Sequence, residues 1–288
     1  MIKNILGIAP KLEDDGSYSP SKVALSLAVS AKTDFVKVSY EKYQGPKSKI
    51  LVICTEQKDM QMENGKKFST GNHPVEAILP MLHLKDAGFD FNIVTPTGKP
   101  VVFEMWAMPS EDQNVMNFYN DYKKQFQNPG SLAGFVENSL DENQSYAAVF
   151  IPGGHGAMLG IPEDPNVGKV LRWAKDKDLY TITLCHGPGA LLSTNLDANF
   201  IYKDYKMTVF PDTVDKQTPM IGYLPGHMPW RLCEKLTDLG VKIVNKKSDN
   251  STCIDRKLIT GASPLAANEL GKLAANTLLK IRNFDTLS

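Results

Sequence analysis

After residue 45 the chain alternates apolar runs with amphipathic stretches. The run Ile50–Cys54 in KSKILVICTE is apolar without a polar face, as in a strand buried on both sides of a parallel sheet. HPVEAILPMLHLKDAG then shows helical spacing, with Pro74 suited to the first turn and Gly88 to the C-terminal end. FDFNIVTPTG predicts the next strand and completes a βαβ unit. The rhythm resumes at YAAVFIPGGHG, a strand ending in a Gly-rich turn, and continues through NVGKVLRWAKDKD (helix), LYTITLCHG (strand) and GALLSTNL (helix). YKMTVFPDT, VKIVNKKSD and CIDRKLITGAS each predict a strand, with the helix WRLCEKLTDLG after the first. The last helix opens at Ser263 as N-cap and Pro264 at the first helical position. This pattern predicts an α/β fold built on a doubly wound, largely parallel sheet.

Two segments break the alternation. Residues 1–45 are polar and turn-rich, and predict an arm or linker wrapping a body formed by residues 46–288. Residues 101–140 are rich in aromatics and Met and predict a small lid or insertion over one end of the sheet.

Composition narrows the function classes. The 288 residues are 42% hydrophobic and 22% charged, ordinary for a globular chain with a sizeable core. Lys plus Arg and Asp plus Glu both number 32, and this zero net charge argues against a bulk electrostatic binder of nucleic acid or anionic membrane. No apolar run approaches the roughly 20 residues of a bilayer span, and no secretory leader reads at the start, so a cytoplasmic protein is expected. The four cysteines (Cys54, Cys185, Cys233, Cys253) form neither a CxxC pair nor a zinc-finger spacing.

Chemistry-bearing residues collect at the predicted carboxyl ends of strands, where open α/β sheets bind ligands. Gly153, Gly154 and His155 follow AAVFI, Cys185 and His186 follow TITL, and Asp212 and Asp215 follow MTVF. A strand, a Cys, a Gly two residues on and then a helix resembles a nucleophile elbow, with Thr183 where that motif has Gly. A helix N-terminus there would lower the Cys185 pKa. His186, His155 and His227 compete as general base, and Asp212 or Asp215 could orient it. The glycines of PGGHG let backbone N–H groups approach a reacting oxygen and lack the spacing of a phosphate loop. Glu76 has a plain role as an N3 carboxylate helping to cap its helix, and a functional one as acid or base at the sheet edge. No spacing supports a metal site.

FSTGNHPVEAILPMLHL, WAMP, FIPGGHGAM, LCHGPGALL, FPDTVDKQTPMIGYLPGHMPW and DRKLITGASPLAANELGKLAA together resemble the HchA branch of the ThiJ/PfpI superfamily, from about residue 50 to the C-terminus. The resemblance implies a flavodoxin-like, class I glutamine-amidotransferase-like sheet with a lid, usually in a homodimer. It implies glutathione-independent glyoxalase activity on small α-oxoaldehydes such as methylglyoxal, without a cofactor, with deglycation of proteins and a holdase role for unfolded clients beside it. Nucleic acid enters only as a deglycation substrate. It assigns Cys185 as nucleophile, His186 and Asp215 as its triad partners and Glu76 as active-site carboxyl, with the backbone of Gly154 and His186 forming the oxyanion site. The branch's His/Glu/His metal positions fall on Lys85, Asp90 and Tyr122, which are not a zinc set. A Cys-dependent amidase or peptidase, and a chaperone whose role is client binding alone, are the alternatives.

Overall fold

The computed structural model of the chain describes residues 6–138, 140 and 145–283; residues 1–5 of the arm and residue 139 of the insertion lie outside the described residues. Seven strands form the central sheet: β1 Lys49–Ile53, β2 Asp90–Thr95, β3 Gly130–Ser131, β4 Tyr146–Ile151, β5 Tyr180–Leu184, β6 Thr252–Asp255 and β7 Leu258–Gly261. Their spatial order is β6-β7-β5-β4-β1-β2-β3. All neighbours are parallel except β6 and β7, which form an antiparallel hairpin. The fold is therefore α/β with a mostly parallel sheet, of the flavodoxin-like kind. Strand order reverses between β1 and β4, the kind of crevice where such sheets bind ligands.

The helices are α1 Lys22–Ala28, α2 Pro74–Asp86, α3 Gln113–Gln127, α4 Leu132–Asn138, α5 Pro165–Asp176, α6 Asp212–Asp215, α7 Leu232–Asp238 and α8 Ala267–Leu279. The two-residue period of the strands divides their side chains between two cores. Ile50, Val52, Ala148 and Phe150 join α2, α3 and α8, whereas Leu51, Ile53, Val149 and Ile151 join α5 and α7. Each fully buried side chain of this size contributes about 1.5–3 kcal/mol, so both layers matter.

Four elements differ from the sequence-based expectation. YKMTVFPDT gives only a two-residue strand, Lys206–Met207, paired with Lys242–Ile243 in a separate ribbon, so VKIVNKKSD also stays outside the central sheet. Beyond Met207, the N–H groups of Thr208, Val209 and Phe210 go to Thr260 Oγ1, Asn245 Oδ1 and the Cys185 carbonyl instead of a ladder. GALLSTNL lies in a 3₁₀ helix, Gly187–Asn195, whose Ser193 and Thr194 hydroxyls donate back to the carbonyls of Ala190 and Leu191. CIDRKLITGAS is a hairpin rather than one strand, reversed at Arg256 (φ 55°) and Lys257.

The arm is woven into the body. Tyr18–Ser19 pairs parallel with Lys67–Ser69 and antiparallel with Lys11–Leu12. Ser21 caps α1 by accepting from Ala24 N (3.0 Å), while its hydroxyl donates to the Ile221 carbonyl (2.7 Å). Gly130–Ser131, inside the stretch expected as an insertion, is the edge strand β3 of the central sheet. Among the described residues, no helix is long and apolar enough to cross a membrane.

Candidate active site

The chain leaves β5 at Leu184 and turns at Cys185, whose φ of 57° is rare for a residue with a side chain. This bend is what lets two adjacent side chains converge. Cys185 Sγ lies 3.3 Å from His186 Nδ1, and His186 Nε2 lies 2.8 Å from Asp215 Oδ2. The other oxygen, Oδ1, is 3.1 Å from His155 Nε2. An ionised carboxylate only accepts, so both Nε2 atoms carry the proton and donate to Asp215. That tautomer leaves His186 Nδ1 free to accept the Cys185 thiol proton. All four residues are buried.

Asp215 reaches this position on the single turn α6, within the segment anchored by the bond from Phe210 N–H to the Cys185 carbonyl (3.0 Å). Burial alone would raise its pKa, but the two histidines hold it well below the usual carboxylate range. Asp212 does a different job: its carboxylate accepts from the N–H groups of Cys233 and Glu234 (both 3.0 Å) and caps α7. His227 is exposed and borders a separate cavity. The remaining cysteines, Cys54, Cys233 and Cys253, do not line the active-site cavity.

Glu76 sits in the first turn of α2, fully buried, with neither carboxyl oxygen in a hydrogen bond. It does not cap the helix. A Cβ on Gly153 would come within 1.8 Å of Glu76 Oε2 and 2.9 Å of Cys185 Cβ, so the glycine leaves the space in which carboxyl and nucleophile meet. Gly154 adopts φ 98°, and a Cβ there would press within 2.5 Å of His73 N. Its N–H favours the charged forms of both Cys185 and Glu76, against the larger effect of burial. Burial raises the Glu76 pKa well above its usual value, with the Glu104 charge adding to it. The expected lowering of the Cys185 pKa does not occur: burial first, then Glu76, push the thiol well above its usual value. No α-helix starts behind it to oppose them. His155, one of the competing bases, lines the cavity and places its ring on Asp215 and 4.1 Å from the His186 ring.

These groups border a cavity of about 320 Å³, together with Glu104, Phe210 and Tyr223; the exposed Leu27 and Leu265 stand on its rim. Three lining residues were not assigned to the site from the sequence: His73 and Glu104, both buried, and the partly buried Tyr223. His73, the N-cap residue of α2, has its pKa pushed down to about 3, by burial and then by His155 and His186. Glu104 receives the Thr70 hydroxyl proton (2.6 Å) on Oε1, and burial raises its pKa to about 7. Burial likewise raises Tyr223. A single carboxylate inside the apolar stretch FEMWAMP was the one available signal for Glu104.

Lys85 and Tyr122 do come together, but as a cation over a ring: Lys85 Nζ is 4.7 Å from the Tyr122 centroid. Tyr122 stacks on Phe118 at 4.4 Å, and Asp90 faces it. An ammonium and a phenol ring do not make a divalent-metal donor set, so the metal of the resembling branch does not fit here. Among the described residues, the three donors able to gather round an ion are His155, His186 and Asp215, which already bind one another.

The DJ-1/PfpI family model matches residues 67–276. The protein/nucleic acid deglycase HchA of Staphylococcus aureus, in strains MSSA476 and N315, is 46% identical over 273 residues, covering 94% of either chain. Among solved structures, the Rapid Encystment Protein 24 KDa of Francisella tularensis superposes with a TM-score of 0.68 at 22% identity, over 80% of this chain and 99% of that one. Glyoxalase III of Candida albicans gives 0.62 at 20% identity, over 80% and 98%. Both structural likenesses concern the fold.

Proposed function

The chain belongs to the DJ-1/PfpI family, and on that premise we propose that it is a glutathione-independent glyoxalase that turns methylglyoxal into lactate through Cys185. The single observation that carries this reading is the line Cys185–His186–Asp215 with the unpartnered carboxyl of Glu76 beside the sulfur.

The chemistry follows from the protonation states. Cys185 rests as a thiol, because burial and Glu76 disfavour its anion. As sulfur attacks the aldehyde carbon, the S–H proton passes to His186 Nδ1, and the imidazolium is stabilised by Asp215. The aldehyde oxygen, beside the Gly154 N–H, takes the proton of the Glu76 carboxyl, giving a hemithioacetal and leaving Glu76 ionised. The Glu76 carboxylate so formed takes the C1 proton while the His186 imidazolium protonates the C2 oxygen, forming an enediol. Glu76 then returns its proton to C2 as the C1 hydroxyl gives its proton back to His186. The product is a lactyl thioester on Cys185. Water then attacks that carbonyl, the C–S bond breaks, the thiol is restored and lactate leaves. One water is consumed and no net redox change occurs.

Glycated amines fall within the same reading. The relatives named as deglycases cover the chain almost end to end, and the cavity exceeds the volume of a three-carbon aldehyde. Lactate formation from methylglyoxal without glutathione, in wild type and Cys185→Ala, tests the proposal. Lactate from wild type and none from the variant is expected; equal yields would overturn the role of Cys185.

A further inference from the structure

Three buried carboxyls border the cavity, and the mechanism uses two of them, Glu76 and Asp215. Glu104 leaves its Oε2 without a hydrogen bond although the residue is 1% exposed. Its Oε1 is occupied by the Thr70 hydroxyl at 2.6 Å. A buried polar atom without a partner is costly, and the few that native structures keep call for an explanation. Glu104 borders the cavity that also holds Cys185 and Glu76. Its backbone is fixed by the bond from its N–H to the Asn72 carbonyl (3.0 Å), next to the N-cap of α2.

We propose that Glu104 is a second substrate-contacting carboxyl, which in its protonated form donates from Oε2 to the oxygen adjacent to the carbon that Cys185 attacks. This inference rests on the glyoxalase reading and deepens it, because the contact selects 1,2-dicarbonyls over simple aldehydes. A monoaldehyde reaches the sulfur equally well but leaves Oε2 unpaired.

The titratable groups facing Glu104 are Glu76 from α2, His155 from the turn after β4 and Tyr223 from the loop that follows α6. Burial holds the Glu104 proton up to about pH 7, with His155 acting in the opposite sense. The donor is therefore present below about pH 7 and lost above it.

The test measures protection of Cys185 from iodoacetamide by methylglyoxal and by propanal, alongside lactate formation. Wild type is expected to prefer methylglyoxal, with the preference falling above pH 7. Glu104→Gln, which keeps an N–H donor, should hold its preference flat across that range. Glu104→Leu should lose about tenfold of it. An unchanged preference in Glu104→Leu, or a pH-dependent fall that persists in Glu104→Gln, overturns the inference. A wild type that prefers methylglyoxal yet makes no lactate refutes the proposed reaction and leaves the Glu104 contact supported. Equal protection by both aldehydes in wild type refutes the contact whatever the lactate yield.

Discussion

Asp215 holds two imidazoles at once, with Oδ2 2.8 Å from His186 Nε2 and Oδ1 3.1 Å from His155 Nε2. The second histidine restrains the carboxylate against rotation, and the carboxylate in turn selects the tautomer that frees His186 Nδ1. In Asp215→Asn one oxygen is replaced by an NH₂ group, which cannot accept from an Nε2–H. At least one imidazole must flip tautomer or lose its partner. A fall in lactate turnover of about 10²–10⁴-fold is expected with the fold intact by circular dichroism. Near-normal turnover would show that His186 needs no carboxylate.

Strain at the nucleophile gives the next expectation. Cys185 sits at φ 57°, where a Cβ costs of order 1 kcal/mol. Ala→Gly exchanges ordinarily destabilise, yet here Cys185→Gly should unfold at a higher denaturant concentration than Cys185→Ala. Both lack activity. The reverse order would mean that the bend carries no strain.

Gly153→Ala puts a methyl group where Glu76 Oε2 now lies, at 1.8 Å from the new Cβ. The Leu184 carbonyl, 2.6 Å away, blocks the alternative direction. The carboxyl must leave the sulfur, so turnover should drop by about 100-fold, with overpacking costing about 1–3 kcal/mol. Parallel measurement of turnover and urea midpoint checks both.

The Glu76 carboxyl and the Cys185 thiol are expected to respond in opposite directions to one substitution. After burial, the charge of Glu76 is the largest influence raising the thiol pKa. Glu76→Gln removes that charge and keeps the volume. Alkylation of Cys185 by iodoacetamide at alkaline pH should quicken several-fold while lactate formation falls by about 100-fold. Slower alkylation in the variant would show that Glu76 does not restrain the thiol.

The apolar runs at Ile50–Cys54, Tyr146–Ile151 and Tyr180–Leu184 were legible as buried parallel strands because both faces of those strands pack against helices. Their ends therefore located Cys185, Gly153 and Gly154. The segment from Thr208 to Phe210 misled, since its apolar alternation is satisfied by Thr260, Asn245 and Cys185 rather than by a neighbouring strand. Spacing could not separate His186 from His155, because Asp215 binds both. Nor could it separate Asp212 from Asp215, three residues apart, of which one caps α7 and the other meets the histidines. Glu104 was hidden for a different reason. It lies in an irregular aromatic segment without a period, and only tertiary packing brings it into the cavity.

Burial of Glu104 makes stability depend on pH in a way that one substitution removes. Its pKa is raised from the usual 4.5 to about 7 in the folded chain, so folding favours the protonated form. That contribution is complete below about pH 4.5 and is lost as the pH rises through 7, because the unfolded chain ionises freely over this window while the folded one resists. Glu104→Gln stays neutral throughout and can still accept the Thr70 proton on Oε1. The variant should therefore gain on wild type as the pH rises from 5 to 8, reaching an advantage of up to about 3 kcal/mol. Denaturant unfolding of both proteins across this range measures the gap directly. A gap that stays constant with pH would mean that Glu104 ionises as an ordinary carboxyl and that burial costs its charge nothing.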